Sequence, residues 1–167
     1  VISATDTKKY DGTPLYSYDP IYLTGAIDEG LASNQRLTAD ISTEITFFGE
    51  VKNAIGEVVI KDASGEDVTS NYIVAKTEGT LSITKRELTI TVDDKTKVYD
   101  GTPLIPDSVT DGADGLATYL IEWSMEPFTD LLLIELSGSQ TNVGTSNSDV
   151  IEYRIEHASG EDATESY

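Results

Sequence analysis

The sequence states one module twice, and any fold it adopts must accommodate that. Tyr-Asp-Gly-Thr-Pro-Leu stands at residues 10–15 and returns unchanged at 99–104. Residues 60–72 (IKDASGEDVTSNY) are answered by residues 155–167 (IEHASGEDATESY), and between these blocks GEVKN at 49–53 resembles GSQTN at 138–142. The blocks keep their order, so the chain is a tandem duplication of a module near 90 residues long. The offset is 89 residues at the first block and 95 at the last, which places a six-residue gain in the second copy near residues 145–150. The first copy continues past Tyr72 through IVAKTEGTLSITKREL, and the second has no counterpart to residues 73–85 before the sequence stops. A module without its last strand is expected to show an exposed edge.

Local chemistry explains why the hexapeptide is kept. Asp11 and Asp100 can accept from the backbone two residues on, Gly12 and Gly101 can take a positive φ, and Pro14 and Pro103 fix φ and extend the threonine before them. Tyr10 and Tyr99 stand just before the turn and can bury a ring while the phenol finds a polar partner. All positions are thus accounted for by turn architecture, with a binding or catalytic loop as the alternative. The ASGED blocks read as a second turn, Ser-Gly flanked by solvated acids. Their alternative is calcium at the acidic loops, with Asp62, Glu66 and Asp67 crowded together. The spacing departs from the D-x-[DN]-x-[DN]-G loop that surrounds one ion, and Asp62 becomes His157 in the second copy. His157, on this acidic turn, is read as solvated. Acidic loops at 93–94 and at Asp111 with Asp114 read in the same way.

Strand signals dominate the remainder. Residues 79–84 and 87–92 alternate polar and apolar with period two, residues 150–156 do so with Val150 out of phase, and 57–61 is an apolar run of strand length. The expectation is an all-β protein of two tandem antiparallel modules in an elongated arrangement, residues 1–88 and 89–167, joined strand to strand near 84–88. The alternative is β-grasp-like modules with a short helix, for which 26–37 or 113–121 are the candidate windows.

Composition narrows function. Thirty acidic residues against eleven lysines and arginines give a formal charge of -19. Such a surface disfavours nucleic acid and anionic membranes, both of which need clustered cations. No apolar run approaches transmembrane length, so no membrane insertion is expected. There is no cysteine and one histidine, which excludes thiolate zinc sites and makes a Ser-His-Asp triad hard to assemble. No catalytic, cofactor-binding or metal-ligating set emerges, and no enzyme is expected. Tyr16, Tyr18 and Tyr22 crowd behind the first hexapeptide, and Trp123 lies near Tyr119 and Phe128. These aromatics belong to the core or stack on a ligand such as a sugar ring. A lysine–asparagine crosslink has candidates in Lys9, Lys85 and Lys97 and in Asn53, Asn71 and Asn142, without a pairing.

The ordered blocks KVYDGTPL, GSQTNVGTSNS and ASGEDVTSNYIVAKTEGTLSITKREL resemble the tandem YDG/MBG-type repeats of large, mostly Gram-positive bacterial cell-surface proteins. The first copy departs from the pattern at 49–56 and at 35–44. The resemblance implies an extracellular protein at the bacterial cell surface or cell wall, with β-sandwich-like modules acting as a stalk in adhesion. It implies neighbouring repeat modules as partners, with host mucin, glycan or matrix protein as a direct ligand in the alternative. It carries no catalytic residues.

Overall fold

A computed structural model describes residues 1–17, 23–24, 30–113, 115–120 and 127–167. The described residues form small, predominantly antiparallel sheets with two short 3-10 turns, as expected for an all-β chain. The strands are β1 (Asp6–Lys9), β2 (Leu15–Ser17), β3 (Leu23–Thr24), β4 (Arg36–Ala39), β5 (Thr43–Ile45), β6 (Gly49–Asn53), β7 (Val58–Lys61), β8 (Gly79–Thr84), β9 (Leu88–Val92), β10 (Val109–Ala113), β11 (Thr118–Leu120), β12 (Pro127–Thr129), β13 (Leu131–Ser137) and β14 (Asp149–Glu156). The expected strands at 57–61, 79–84, 87–92 and 150–156 correspond to β7, β8, β9 and β14. The helical alternative at 113–121 is corrected: its described residues hold the end of β10 and all of β11, with Gly115 at a φ of 64 between them. That left-handed residue reverses the chain where a helix would need a right-handed one. The window at 26–37 lies partly outside the described residues, and its end is strand β4.

Two compact units result. The first comprises Val1–Lys8 and Pro14–Thr84, and the second comprises Lys9–Thr13 and Lys85–Tyr167. The unit boundary therefore falls between Thr84 and Lys85, and a pentapeptide from the first repeat belongs to the second unit.

In the first unit β8 is the middle strand of a sheet ordered β1-β8-β6, and β4 is the middle of β3-β4-β7, while β2 pairs with β5. Leu31, Leu37, Ala39, Ile55 and Ile60 make its core cluster, with Val58, Val68, Tyr72 and Val74 packed around them. Leu81 and Ile83, the alternate residues of β8, are fully buried, as period-two patterning dictates. The chain start also joins the unit, since Ile2 bridges Thr77 in parallel fashion.

In the second unit β9 pairs with β10, β11 with β12, and β13 with β14. The last pair has a register shift between Glu135 and Leu136: Glu135 faces Glu152 while Leu136 faces Val150. Ile151 is the extra residue of this β-bulge, which is the physical reason Val150 falls out of phase. Leu132 faces Ile155 as Leu37 faces Ile60, so the 95-residue offset is already established upstream of β14. The six-residue gain therefore lies between Leu104 and Leu132, which corrects the expectation of 145–150.

Both repeats build the same hairpin end. Val68 N–H donates to Ile60 O and Ala163 N–H to Ile155 O, each at 2.8 Å. Thr69 and Thr164 accept from Ile60 N–H and Ile155 N–H through their hydroxyls. Gly65 and Gly160 both sit at a φ of 86, as the Ser-Gly turn requires. Among the described residues no helix is long and apolar enough to cross a membrane.

Candidate functional site

The hexapeptide turn is built identically in both copies. Asp11 Oδ1 accepts from Thr13 N–H at 2.9 Å and from its hydroxyl at 2.7 Å. Asp100 Oδ1 accepts from Thr102 N–H and hydroxyl, both at 2.9 Å. Gly12 and Gly101 take φ values of 80 and 81. Lys8 and Lys97 each donate to the carbonyl of the turn proline, at 3.3 and 3.4 Å. The local sequence alone therefore fixes the turn. Lys97 also donates to Asp100 at 2.8 Å, and that bond leads the causes holding the Asp100 carboxyl well below the usual range.

The surroundings of the two turns differ. Tyr10 is 0% exposed and Tyr99 is 61% exposed. Within the second unit Tyr10 donates its phenol to Asp130 Oδ2 at 2.8 Å, and Tyr167 donates to the same oxygen at 2.7 Å. The two rings meet edge to face, centroids 5.4 Å apart at 73°. Tyr167 in turn accepts from Ala117 N–H at 2.7 Å, and Asp130 N–H donates to Ala117 O at 3.0 Å. Asp130 is itself buried, and its Oδ1 has no hydrogen-bond partner among the described residues. One buried carboxylate thus gathers two phenols from opposite ends of the sequence.

His157 completes the seat. It is buried, which corrects the expectation of a solvated side chain. Its Nδ1 accepts from Ser159 N–H at 3.2 Å, leaving Nε2–H to donate to Gly12 O at 3.0 Å. Burial of the turn glycine is what leaves its carbonyl needing a donor.

The chemistry of this cluster is that of a clamp. Burial, then the hydrogen bond to Asp130, push the Tyr10 phenol far above its ordinary pKa. Burial likewise raises Tyr167, opposed by the bond from Ala117 N–H and by the charge of Arg86. Both phenols stay protonated at neutral pH and serve as fixed donors, which makes them poor bases or nucleophiles.

The first unit holds the same frame without the seat. Ala32 N–H donates to the Tyr72 hydroxyl at 3.0 Å, Tyr72 donates to Gln35 Oε1, and Gln35 N–H donates to Ala32 O at 3.2 Å. Gln35 stands where Asp130 stands, and Asp62 where His157 stands. Asp62 Oδ1 instead accepts from Ser64 N–H, Ser64 Oγ and Glu66 N–H, with the Ser64 hydroxyl foremost in lowering its pKa. Asp62 is therefore engaged in holding its turn, and Asp67 and Asp162 each accept from a threonine N–H at 2.9 Å. Among the described residues no group of three or more His, Cys, Asp or Glu is placed to hold a metal ion.

Of the candidates Tyr16, Tyr18, Tyr22 and Trp123, Tyr16 alone lies among the described residues. Tyr16 is exposed on β2, where it faces Glu44 across the ladder. Tyr18, Tyr22 and Trp123 lie outside the described residues. Among the crosslink candidates, Lys97 is engaged with Asp100 and Lys85 with Glu165, while buried Asn53 donates to Ala4 O at 2.9 Å.

Asp130 carried no sequence signal, because the two copies align poorly where it stands. His157 did carry one: it is a change of chemical type inside an otherwise matched block. No family model matches the chain, and neither a curated protein nor a solved structure matches it.

Proposed function

We propose that this chain is a non-catalytic repeat region of an extracellular bacterial cell-surface or cell-wall protein, serving as stalk or spacer in adhesion, in keeping with its resemblance to YDG/MBG-type repeats. The observation that carries the reading is the place of Lys9–Thr13: a turn encoded in the first repeat is a structural part of the second unit. A repeat whose most faithfully repeated segment serves as a structural clamp has the character of a load-transmitting element. Neighbouring repeat modules are then the natural partners. The high acidity supports a solvated surface without attraction for nucleic acid or anionic lipid.

The test is a binding panel of mucins, glycans and matrix proteins presented to the folded chain, with Tyr16→Ala and Trp123→Ala beside it. The spacer reading expects no saturable binding. Saturable binding that a folded variant loses would replace it with direct ligand recognition by the modules.

A further inference from the structure

The second unit contains a groove of about 890 Å³. Its walls include residues 95–97 on one side and 144–148 on the other, with Tyr99, Leu104 and Val143 among the apolar lining. The repeat identifies these walls. Residues 95–98 stand 89 positions after β1, and residues 144–148 stand 95 positions after β6, the offset by which the Leu104–Gln140 bridge also repeats the Leu15–Ile45 pair at its second residue and Leu132–Ile155 repeats Leu37–Ile60. Gly49 and Gly144, which open the second wall in each copy, share a positive φ, 141 and 147.

In the first unit the space between β1 and β6 is filled by β8. β8 pairs with β6 from Gly49 opposite Ile83 to Asn53 opposite Gly79. In the second unit the same space is open. Neither residues 95–98 nor residues 144–148 form a strand or bridge. Apolar side chains lining it lie in solvent: Tyr99 is 61% exposed and Val143 89%. The sequence holds one copy of the β8 type, GTLSIT, and it is committed in the first unit.

We propose that this groove is a strand acceptor, and that its ligand is a polypeptide segment of β8 type supplied from outside these residues. That segment reads glycine, then polar and apolar residues in alternation. It would add as a central strand, its backbone hydrogen-bonding both walls and its apolar residues covering Leu104, Tyr99 and Val143. The glycine at its head has a reason in the first unit, where a Cβ on Gly79 would lie 2.1 Å from Ala4 O. The inference stands independently of the stalk reading, because it rests on the internal repeat and the open walls alone.

The experiment uses the 167-residue chain and a labelled synthetic peptide of residues 78–85, EGTLSITK. The comparison peptide carries Leu81→Asp and Ile83→Asp. Binding is measured by fluorescence anisotropy, and the contact is located by amide hydrogen exchange. The expected result is saturable binding that slows exchange in both 95–98 and 144–148, with the comparison peptide at least about tenfold weaker because two charges would be buried. No binding, equal binding of both peptides, or protection elsewhere in the chain would each overturn it. Self-association that protects the same amides without peptide also overturns it, by assigning the groove to a second copy of the chain.

Discussion

Replacing the tyrosine of each hexapeptide in turn separates a clamp from a repeated turn. Tyr10→Ala removes a side chain with no solvent exposure, its edge-to-face contact with Tyr167 and its hydrogen bond to a buried carboxylate. Truncating a buried aromatic costs about 3–5 kcal/mol. Tyr10→Phe keeps the ring and loses only the bond to Asp130, a charged acceptor, for about 1.5–3 kcal/mol. Tyr99→Ala touches a largely exposed ring, and the Asp100–Thr102 bonds that hold its turn do not involve it, so the cost is within about 0.5 kcal/mol. Urea unfolding followed by the fluorescence of Trp123, the chain's single tryptophan, reports on a sequence segment belonging to the second unit. With an m-value of about 2 kcal/mol/M, a loss of about 4 kcal/mol lowers the midpoint by roughly 2 M. The expected order of midpoints is Tyr99→Ala near wild type, Tyr10→Phe lower and Tyr10→Ala lowest. Equal effects of Tyr10→Ala and Tyr99→Ala would refute the reasoning, because they would show the two turns in equivalent surroundings.

Further consequences can be measured in the same way. His157→Asp places an acceptor against the Gly12 carbonyl and should cost the second unit about 1–3 kcal/mol, while Asp62→His should cost less than about 1 kcal/mol; urea midpoints compare them. Gly79→Ala forces a Cβ against Ala4 O and should destabilise the first unit by about 1–3 kcal/mol or more, seen as faster amide exchange in β1 and β8 with β13 and β14 unchanged. Tyr10 and Tyr167 both have raised folded pKa values, whereas an unfolded tyrosine ionises near 10. Their contribution to stability is complete below about pH 10 and is lost as pH rises above it, since the unfolded chain then sheds protons the folded one keeps. Ultraviolet titration should show Tyr10 and Tyr167 ionising only as the fold is lost, and Tyr10→Phe should make the alkaline loss shallower.

What the sequence made legible is what local chemistry decides. The turn at Asp11 and its twin at Asp100 share the aspartate–threonine bonds and the left-handed glycine, because Asp, Gly and Pro at those positions need nothing from elsewhere. β8 and β14 follow from period-two alternation, and even the irregular Val150 announced the bulge at Ile151. Long-range choices were not legible. That Tyr10 is buried and Tyr99 exposed depends on Asp130, which lies 120 positions away from Tyr10 and has glutamine as its counterpart. His157 looked solvated because its sequence neighbours are acidic, while the group it serves, the Gly12 carbonyl, is 145 positions distant. The exposed edge of the second repeat could be expected from the unmatched residues 73–85, but its form as a two-walled groove needed the pairing of β8 in the first unit to interpret.

The most direct test of the central claim is a nuclear Overhauser measurement on the intact chain with selectively labelled tyrosines. Cross-peaks between the ring protons of Tyr10 and Tyr167 are expected from rings 5.4 Å apart, together with none between Tyr99 and Tyr167. A Tyr10 ring that shows contacts only to its sequence neighbours would contradict the claim that the first repeat's turn is built into the second unit.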